Sequence, residues 1–383
     1  MNNFDFYNPT KILFGKGKIN EIKQEIPQDA KVLVTYGGGS IKRNGVYDQV
    51  AEALQSFNWT EFGGIEPNPR YETCMKAVKK VKEENIDFLL AVGGGSVYDG
   101  TKFISAATHF EGDPWDILAK GADVTKALPL AGILTLPATG SEMNAGAVIT
   151  KEETHEKLPF GNPLLYPKFS VLDPSVTGTL SQRQTANGVV DAFVHVMEQY
   201  MTYPTGNHLQ ERFAESILLT LVEDGPEYYE NPADYEKAAN IMWSATMALN
   251  GLVGAGVPND WSTHMIGHEL TAFHEIDHAR TLAIVLPGTW LVLKSDKKER
   301  LVQYAERVWN ISSGSDEEKI DQAIQKTEEF FNSLGIKTRL SDYDVGEPTI
   351  QKIVKRFEER KWYLGEQKKV GPENVEKILK SRA

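Results

Sequence analysis

Two short apolar runs in this chain end in the same four residues, Gly-Gly-Gly-Ser. They are "KVLVTYGGGS" at 31–40 and "DFLLAVGGGS" at 87–96, and segments with helical spacing of apolar residues lie between and after them. Two further runs, "LAGILTLPATGS" and "FSVLDPS", occur before residue 180. Strands that alternate with helices predict a parallel sheet covered by helices. Residues 1–178 are therefore expected to form an α/β domain.

The chain changes character near residue 180. Long helical patterns then replace the β-rich runs, as in "QTANGVVDAFVHVMEQYM" and "EKAANIMWSATMALNGLV". We expect residues 179–383 to form a second, all-helical domain. A chain of 383 residues with 41% hydrophobic content is long and apolar enough for two cores.

Charge and cysteine usage exclude several classes of partner. The net charge is -12, and no block of clustered Lys and Arg occurs, so binding to nucleic acid or to an anionic membrane is not expected. No run of about 18 apolar residues is present, and the N-terminus lacks a leader pattern. The single cysteine, Cys74, excludes an internal disulfide and fits a reducing cytoplasm.

The glycine turns are candidate binding sites for a diphosphate. In "LLAVGGGSVYDGTK" a buried strand runs into Gly93–Ser96 and then into a helix, so backbone N–H groups can surround an anion. A tight turn without a ligand is the alternative, but the presence of an earlier turn of the same kind, at Gly37–Ser40, suggests one extended ligand along a shared sheet edge. The acid that would hold an unphosphorylated ribose is missing from this first turn. Ser40, Lys42 and Arg43 stand there instead, a better match to a 2′-phosphate.

Four of the eight histidines lie within residues 264–278, at positions 264, 268, 274 and 278. On one straight helix, His264 and His278 would be about 21 Å apart, too distant to share a metal. Either they do not share one, or the helix breaks between Leu270 and Asp277. In the second case Asp277 would cap a new helix that begins near His278.

Asp191 and His195 repeat a four-residue spacing within the apolar stretch "GVVDAFVHVME". A bare carboxylate in such a stretch is costly unless it is paired or bound to a metal. Ordinary packing is the alternative for any single histidine, so the combination carries the metal hypothesis. A set of three His and one Asp would suit Zn²⁺ or Fe²⁺ and would leave one position open for substrate.

Four motifs together resemble those of the iron-containing (group III) alcohol dehydrogenase family. They are "GGGSVYDGTK", with Asp99 and Lys102, "LTLPATGSEMNAGAVI", "DAFVHVMEQY" and "HMIGHELTAFHEIDHA". The resemblance extends from about residue 4 to 345 and is nearest to the branch of NADPH-dependent aldehyde reductases and butanol dehydrogenases. One departure is Ala279, where many members have Gly.

The resemblance implies a dinucleotide-binding α/β domain, a helical domain and a cleft between them. It implies that Asp191, His195, His264 and His278 bind one divalent metal, Fe²⁺ or Zn²⁺. His268 would lie near the substrate, while His274 would support a ligand or simply pack. Because imidazole titrates near neutral pH, His268 is a candidate to relay the proton, with a bound water as the alternative. The residues implied to line NADP(H), or alternatively NAD(H), are Gly38, Ser40, Gly94, Gly95, Ser96, Asp99, Thr135, Thr139, Asn144 and Lys157. Asn68, in "EPNP", is a further candidate near the adenosine end, where a simple turn is the alternative reading.

The implied reaction is the interconversion of aldehydes and primary alcohols by a cytoplasmic homodimer, with the metal as Lewis acid and the nicotinamide as hydride donor. An NADH-preferring alcohol dehydrogenase, a fold-related lyase and a polyol dehydrogenase remain alternatives. A metallohydrolase would leave the glycine turns without a purpose, and a non-catalytic binding protein fits least. Apolar residues expected near the metal favour a small apolar aldehyde over a phosphorylated substrate. They are Phe193, Trp243, Met247, Trp261 and Met265.

Overall fold

The computed structural model describes residues 1–383, which divide into two compact units. One unit comprises residues 7–180 and 231–246, and the other comprises residues 1–6, 181–230 and 247–383. The predicted combination of a parallel sheet in the N-terminal part and helices in the C-terminal part is confirmed. The domain boundary between residues 178 and 179 stays a prediction.

The first unit is built on a six-stranded parallel sheet with the strand order β1-β8-β5-β4-β2-β3. Its central strands are apolar along their whole length because helices cover both faces of such a sheet. A separate antiparallel hairpin is formed by β6 and β7. The strands are β1 (Lys11–Phe14), β2 (Lys31–Tyr36), β3 (Asn58–Phe62), β4 (Phe88–Gly93), β5 (Leu130–Leu134), β6 (Gly146–Lys151), β7 (Glu156–Gly161) and β8 (Phe169–Leu172).

Both Gly-Gly-Gly-Ser turns lie at one edge of this sheet. They follow β2 and β4, which are neighbouring parallel strands in a register that pairs Tyr36 with Val92. The expectation that the two turns share one edge is therefore confirmed. This is the edge at which open α/β sheets bind their ligands.

The remaining elements are helices. Those of the first unit are α1 (Ile22–Glu25), α2 (Val46–Ala53), α3 (Tyr71–Glu84), α4 (Gly95–Thr108) and α5 (Asp116–Ala119), and most of α8 (Tyr235–Ala248) belongs to it as well. The second unit contains α6 (Gln182–Tyr200), α7 (His208–Glu230), α9 (Ser262–His274), α10 (His278–Val292), α11 (Lys298–Arg307), α12 (Asp316–Ser333), α13 (Glu347–Arg360) and α14 (Pro372–Lys380). None of these helices is long and apolar enough to cross a membrane.

Helix α6 forms the centre of the second unit. It begins with a capping box in which Ser181 and Gln184 satisfy each other's backbone N–H groups. From Gly188 to Tyr200 every residue is buried, so this part of the helix is enclosed by protein on all sides and not along a single stripe. The polar residues within that segment must therefore find partners inside the protein.

Helix α4 packs closely on the sheet at Gly132 of β5. A Cβ atom at this glycine would lie 2.3 Å from both Cζ and the hydroxyl oxygen of Tyr98, which is fully buried on α4. No side chain fits at that distance, so the approach of helix and sheet depends on glycine here.

We expect Gly132→Ala to lower the free energy of unfolding by about 1–3 kcal/mol, because the added methyl group displaces the Tyr98 ring. Chemical unfolding followed by tryptophan fluorescence measures this loss. Gly346→Ala is the matched control, since its Cβ would meet no atom closer than 3.7 Å. An equal loss in both variants would contradict the packing argument.

Candidate metal and cofactor sites

Asp191 and His195 lie one turn apart on α6. Both side chains are buried, and Asp191 Oδ1 is 3.9 Å from His195 Nε2. Helical spacing of four residues places the two side chains on the same face. A carboxylate and an imidazole are thus brought together inside an otherwise apolar helix.

The chain breaks between α9 and α10, as predicted. Helix α9 ends at His274, Glu275 takes the left-handed conformation with φ 54°, and α10 begins at His278. The imidazole rings of His264 and His278 are consequently 5.3 Å apart, and His278 Nε2 is 3.7 Å from Asp191 Oδ1.

Asp277 occupies the N-cap position of α10, as expected, but its side chain does not cap the helix. It binds Arg183 and Asn187 of α6 instead. The expectation that the Asp277 side chain caps α10 is therefore wrong. Its carboxylate oxygens accept hydrogen bonds from two residues of a neighbouring helix instead.

The donor set fits one divalent metal. Asp191, His195 and His264 are all buried, and one ligand atom from each lies within 4.8 Å of the others. Two ligand atoms bound to one ion in tetrahedral geometry lie about 3.4 Å apart, given metal–ligand distances of about 2.1 Å. The separations of 3.7 and 3.9 Å from Asp191 Oδ1 to His278 Nε2 and His195 Nε2 are close to that spacing.

Two other histidines, His268 and His274, are not among the four expected ligands. The ring of His268 is 5.1 Å from that of His278 and 6.5 Å from that of His264. His274 forms a 2.8 Å hydrogen bond with Thr349, which fits a packing role. The structure thus brings together the four expected ligands and His268, and the role of each residue stays a prediction.

Glu198 supports the start of α9 and was missed in the sequence. Its Oε1 accepts a 2.7 Å hydrogen bond from the backbone N–H of Thr263 and lies 4.0 Å from His264 Nδ1. Burial raises the pKa of this carboxyl group to about 8. Glu198 is three residues beyond His195 on α6, so its position in an apolar stretch was the available signal.

A buried ion cluster lies beside the same helix start. The ammonium of Lys297 donates to Asp260 at 2.7 Å and to Glu366 at 3.1 and 3.2 Å. Asp260 also accepts hydrogen bonds from the backbone and the hydroxyl of Ser262, the first residue of α9. Although burial acts to raise the pKa of Asp260, Lys297 and these bonds hold it below its usual value. The cluster anchors the helix that carries His264.

Trp261 takes the left-handed conformation with φ 62°, which is rare for a bulky residue and is typical of functional sites. Its ring lies 5.3 Å from that of His264 and 6.3 Å from that of His195.

Two other apolar residues expected near the metal have aromatic neighbours. Phe193, which is buried, packs against Phe330 and Phe331, and the ring of Trp243, which is 42% exposed, lies 5.9 Å from that of Phe14. That Phe193 and Trp243 lie near the metal stays a prediction.

The first glycine turn carries Gly38 and Ser40. An added Cβ at Gly38 would meet no atom within 4 Å, so the turn is open there. Lys42 is not simply solvated: its ammonium lies 2.7 Å from Glu61 and over the rings of Tyr36 and Tyr47. The carboxylate of Glu61 thus compensates the charge that the sequence suggested for a 2′-phosphate.

The second turn requires glycine at position 95. A Cβ there would lie 2.1 Å from Thr139 Oγ1, so the turn and the segment after β5 touch. Ser96, also in this turn, donates from its hydroxyl to the carbonyl of Pro67. At the end of β5, the backbone N–H of Thr135 donates to the carbonyl of Gly93 at 3.0 Å. Gly94, Gly95, Ser96, Thr135 and Thr139 therefore lie together.

A buried polar network holds the segment that contains Asn144. Lys102, which is fully buried, donates to Ser141 Oγ at 2.8 Å, to Asn144 Oδ1 at 3.1 Å and to the carbonyl of Gly146 at 2.8 Å. Ser141 in turn donates to Asp99 at 2.7 Å. Burial lowers the pKa of Lys102 to about 8 and raises that of Asp99. Lys102 therefore still carries its charge at neutral pH and offsets that of Asp99.

The last two cofactor candidates are hydrogen-bonded to each other. Lys157 Nζ on β7 donates to Asn68 Oδ1 at 3.0 Å. Asn68 in "EPNP" is thus more than part of a simple turn, although its part in cofactor binding stays a prediction.

Comparison with known families agrees with this geometry over nearly the whole chain. The family model for iron-containing alcohol dehydrogenases matches residues 9–174, and the model for the C-terminal part of the same family matches residues 185–383. The chain belongs to the iron-containing alcohol dehydrogenase family. Membership makes it an oxidoreductase, as the resemblance of its motifs implied.

Several known proteins are similar to this chain over nearly their whole length. The chain is 58% identical to the NADPH-dependent aldehyde reductase YqhD of Escherichia coli, over 94% of both chains, and 43% identical to a probable NADH-dependent butanol dehydrogenase of Bacillus subtilis, over the full length of both. The crystal structure of an NADH-dependent butanol dehydrogenase from Thermotoga maritima superposes with a TM-score of 0.96 at 39% identity, covering 100% of this chain and 99% of that one.

We expect Lys102→Met to lower the free energy of unfolding by about 3 kcal/mol, because it leaves the partly buried carboxylate of Asp99 uncompensated. The double variant Lys102→Met/Asp99→Asn should recover part of this loss. Lys79→Met is the control, since this exposed lysine pairs only with Glu83, at 3.7 Å. Chemical unfolding measures all three, and a wild-type result for Lys102→Met would refute the charge compensation.

Proposed function

We propose that this protein interconverts small aldehydes and primary alcohols, using NADP(H) and one divalent metal, Fe²⁺ or Zn²⁺. The observation that carries the proposal is the buried cluster of Asp191, His195 and His264 in a member of the iron-containing alcohol dehydrogenase family. The 58% identity to an NADPH-dependent aldehyde reductase supports the choice of substrate and cofactor.

Asp191, His195, His264 and His278 would hold the metal. When bound, the metal supplies a Lewis acid for the carbonyl oxygen, and the nicotinamide supplies the hydride. The three imidazoles bring no charge when neutral, and Asp191 brings a single negative charge, so the four ligands leave net positive charge at the site. Glu198 and the Lys297 cluster keep α9, and with it His264, in place.

We assign the proton-relay role to His268. This side chain is buried, and it stands one helical turn after His264 on α9. Histidine is the side chain that most often exchanges protons near neutral pH. His268 would therefore deliver a proton to the product oxygen and recover it from solvent.

The residues proposed to bind the dinucleotide all belong to the first unit. The backbone N–H groups of the turns after β2 and β4 would face the phosphates. Gly38 and Ser40 leave room for a 2′-phosphate, and Lys42 would share its charge between that phosphate and Glu61. The remaining proposed contacts are Asn68, Gly94, Gly95, Ser96, Asp99, Thr135, Thr139, Asn144 and Lys157.

Alternative reactions differ in what they need from the chain. An NADH-preferring alcohol dehydrogenase is favoured by the name of the Bacillus subtilis relative. A metallohydrolase would need no dinucleotide, whereas a fold-related lyase or a polyol dehydrogenase would not reduce butanal. Oxidation of NADPH on addition of butanal, followed by absorbance, tests the proposal directly.

We further propose that the two parts of the chain bind different groups. Residues 1–178 would bind the dinucleotide, and residues 179–383 would bind the metal.

We also propose that the protein is a homodimer. Phe4, Phe6 and Tyr7 are 46, 51 and 76% exposed, and a second copy of the chain would cover this aromatic segment. We propose the cytoplasm as the location, because Cys74 is buried and suited to remain reduced.

We expect the wild type to prefer NADPH, and Gly38→Asp to shift the ratio of kcat/KM for NADPH over NADH towards NADH by about tenfold or more, since tenfold corresponds to roughly 1.4 kcal/mol of charge repulsion. Gly38→Asn is the control, because it adds the same volume without the charge. A preference of the wild type for NADH, or an equal shift in both variants, would refute this account of the turn.

We expect removal of the metal by a chelator to abolish aldehyde reduction while NADPH still binds, as measured by its fluorescence. His264→Ala should lose the metal as well, because an incomplete ligand set binds weakly. His268→Ala should keep the metal and lower kcat by about 10²-fold if it relays protons. His274→Ala is the control and should keep both. Loss of metal in His268→Ala with retention in His278→Ala would mean that the fourth ligand is misassigned.

A further inference from the structure

Helix α6 carries four polar residues at intervals of four positions: Arg183, Asn187, Asp191 and His195. Residues at this spacing form a single stripe along one side of a helix. The last two residues of the stripe belong to the proposed metal site. The first two bind Asp277, the residue that directly precedes His278.

The contacts of Asp277 form a clamp, by which we mean the set Arg183, Asn187 and Asp277. Arg183 donates from Nε at 2.6 Å and from Nη2 at 2.8 Å to the two carboxylate oxygens, and Asn187 donates from Nδ2 at 2.7 Å. The paired bonds from a guanidinium fix the direction of the carboxylate as well as its distance. The clamp thus ties the turn between α9 and α10 to α6.

An aspartate at an N-cap ordinarily accepts hydrogen bonds from the first turn of its own helix. Asp277 makes no such bond, although it occupies the N-cap position of α10. Its carboxylate is directed to α6 instead. The first turn of α10 therefore lacks a side-chain cap, and the carboxylate of Asp277 instead connects the start of α10 to α6, the helix that carries Asp191 and His195.

The clamp contributes little to general stability, because the side chain of Arg183 is 65% exposed and ion pairs in contact with water are weak. Its geometric effect is larger. The chain leaves α9 after His274 and must return His278 to within 3.7 Å of Asp191. A turn held only by its own backbone would leave His278 free to move relative to α6.

We propose that Asp277, held by Arg183 and Asn187, is a positioning residue that fixes His278 for metal binding. The inference rests on the proposed function, since it requires His278 to be a ligand. If the clamp were absent and His278 moved away, His268 could take its place as a ligand, since its ring lies 5.1 Å from that of His278. The clamp would thus select which of the two histidines completes the site.

The test measures Co²⁺ binding to the full-length, metal-free protein by competition with a chelator, so it does not depend on turnover. We expect Asp277→Ala to raise the dissociation constant by about 10- to 100-fold, the range found when partners of metal ligands are removed. Asn187→Ala should raise it less, because Arg183 still holds the carboxylate. Arg212→Ala removes an exposed arginine of α7 and should leave it unchanged.

The double variant Asp277→Ala/His278→Ala separates positioning from general destabilisation. If Asp277 acts through His278, its removal has no further effect on Co²⁺ affinity once His278 is absent. An equal loss in both backgrounds, together with a lower unfolding midpoint of the metal-free protein, would show a merely structural role and overturn the inference. If Asp277→Ala does not fold, Asn187→Ala in the same two backgrounds decides the question.

The same measurements distinguish failure of the inference from failure of the proposed function. If His278→Ala binds Co²⁺ as tightly as the wild type does, the ligand assignment is wrong, and the inference is wrong with it. If His278→Ala loses affinity but Asp277→Ala and Asn187→Ala do not, the ligand assignment stands and only the inference is refuted. The absorption spectrum of bound Co²⁺ gives a second reading, because it depends on the number and the geometry of the ligands.

Discussion

The second unit depends on the cost of burying the carboxylate of Asp191. Its side chain is only 4% exposed within a helix that is buried on all sides, and a charge in such surroundings must be compensated. The two imidazoles within 4 Å of it come from the next turn of α6 and from the start of α10, which is distant in sequence. Helix α6, the break before α10 and the anchoring of α9 can all be understood from this requirement.

In the first unit, the charge of the Asp99 carboxylate is compensated by the ammonium group of Lys102. Lys102 is buried and Asp99 is partly buried, and their partners are the residues that follow β5. A cation that belongs to the chain is permanent, whereas a metal can leave. The polar network of the first unit therefore persists with or without a ligand, whereas the cluster proposed as a metal site in the second unit would depend on the ion.

Much of this architecture could be predicted because it follows from local pattern. Apolar periodicity identified the strands and helices, and the Gly-Gly-Gly-Ser turns indicated the ligand edge of the sheet. Helix geometry required the break before His278 if His264 and His278 share a metal. What could not be predicted involved partners distant in sequence. The carboxylate of Asp277 binds α6 in place of its own helix, and Glu61 compensates Lys42. No spacing rule reveals such choices, because they are decided by which residues the fold brings together. Glu198 offered one local signal, its position in an apolar stretch, but that signal does not identify its partner, the backbone N–H of Thr263 on α9.

The division of the chain into units has a consequence for its synthesis. The first unit needs residues 231–246 in addition to 7–180, and within it the buried carboxylate of Glu142 accepts a 2.5 Å hydrogen bond from Thr246. A ribosome adds about 5–20 residues per second, so this partner emerges several seconds after the sheet is complete. During that interval the carboxylate of Glu142 lacks this hydrogen bond, although the charge of Lys102 is already present. The first unit therefore reaches its final packing only after much of α6 and α7 has been made, and the two units cannot mature in simple order along the chain.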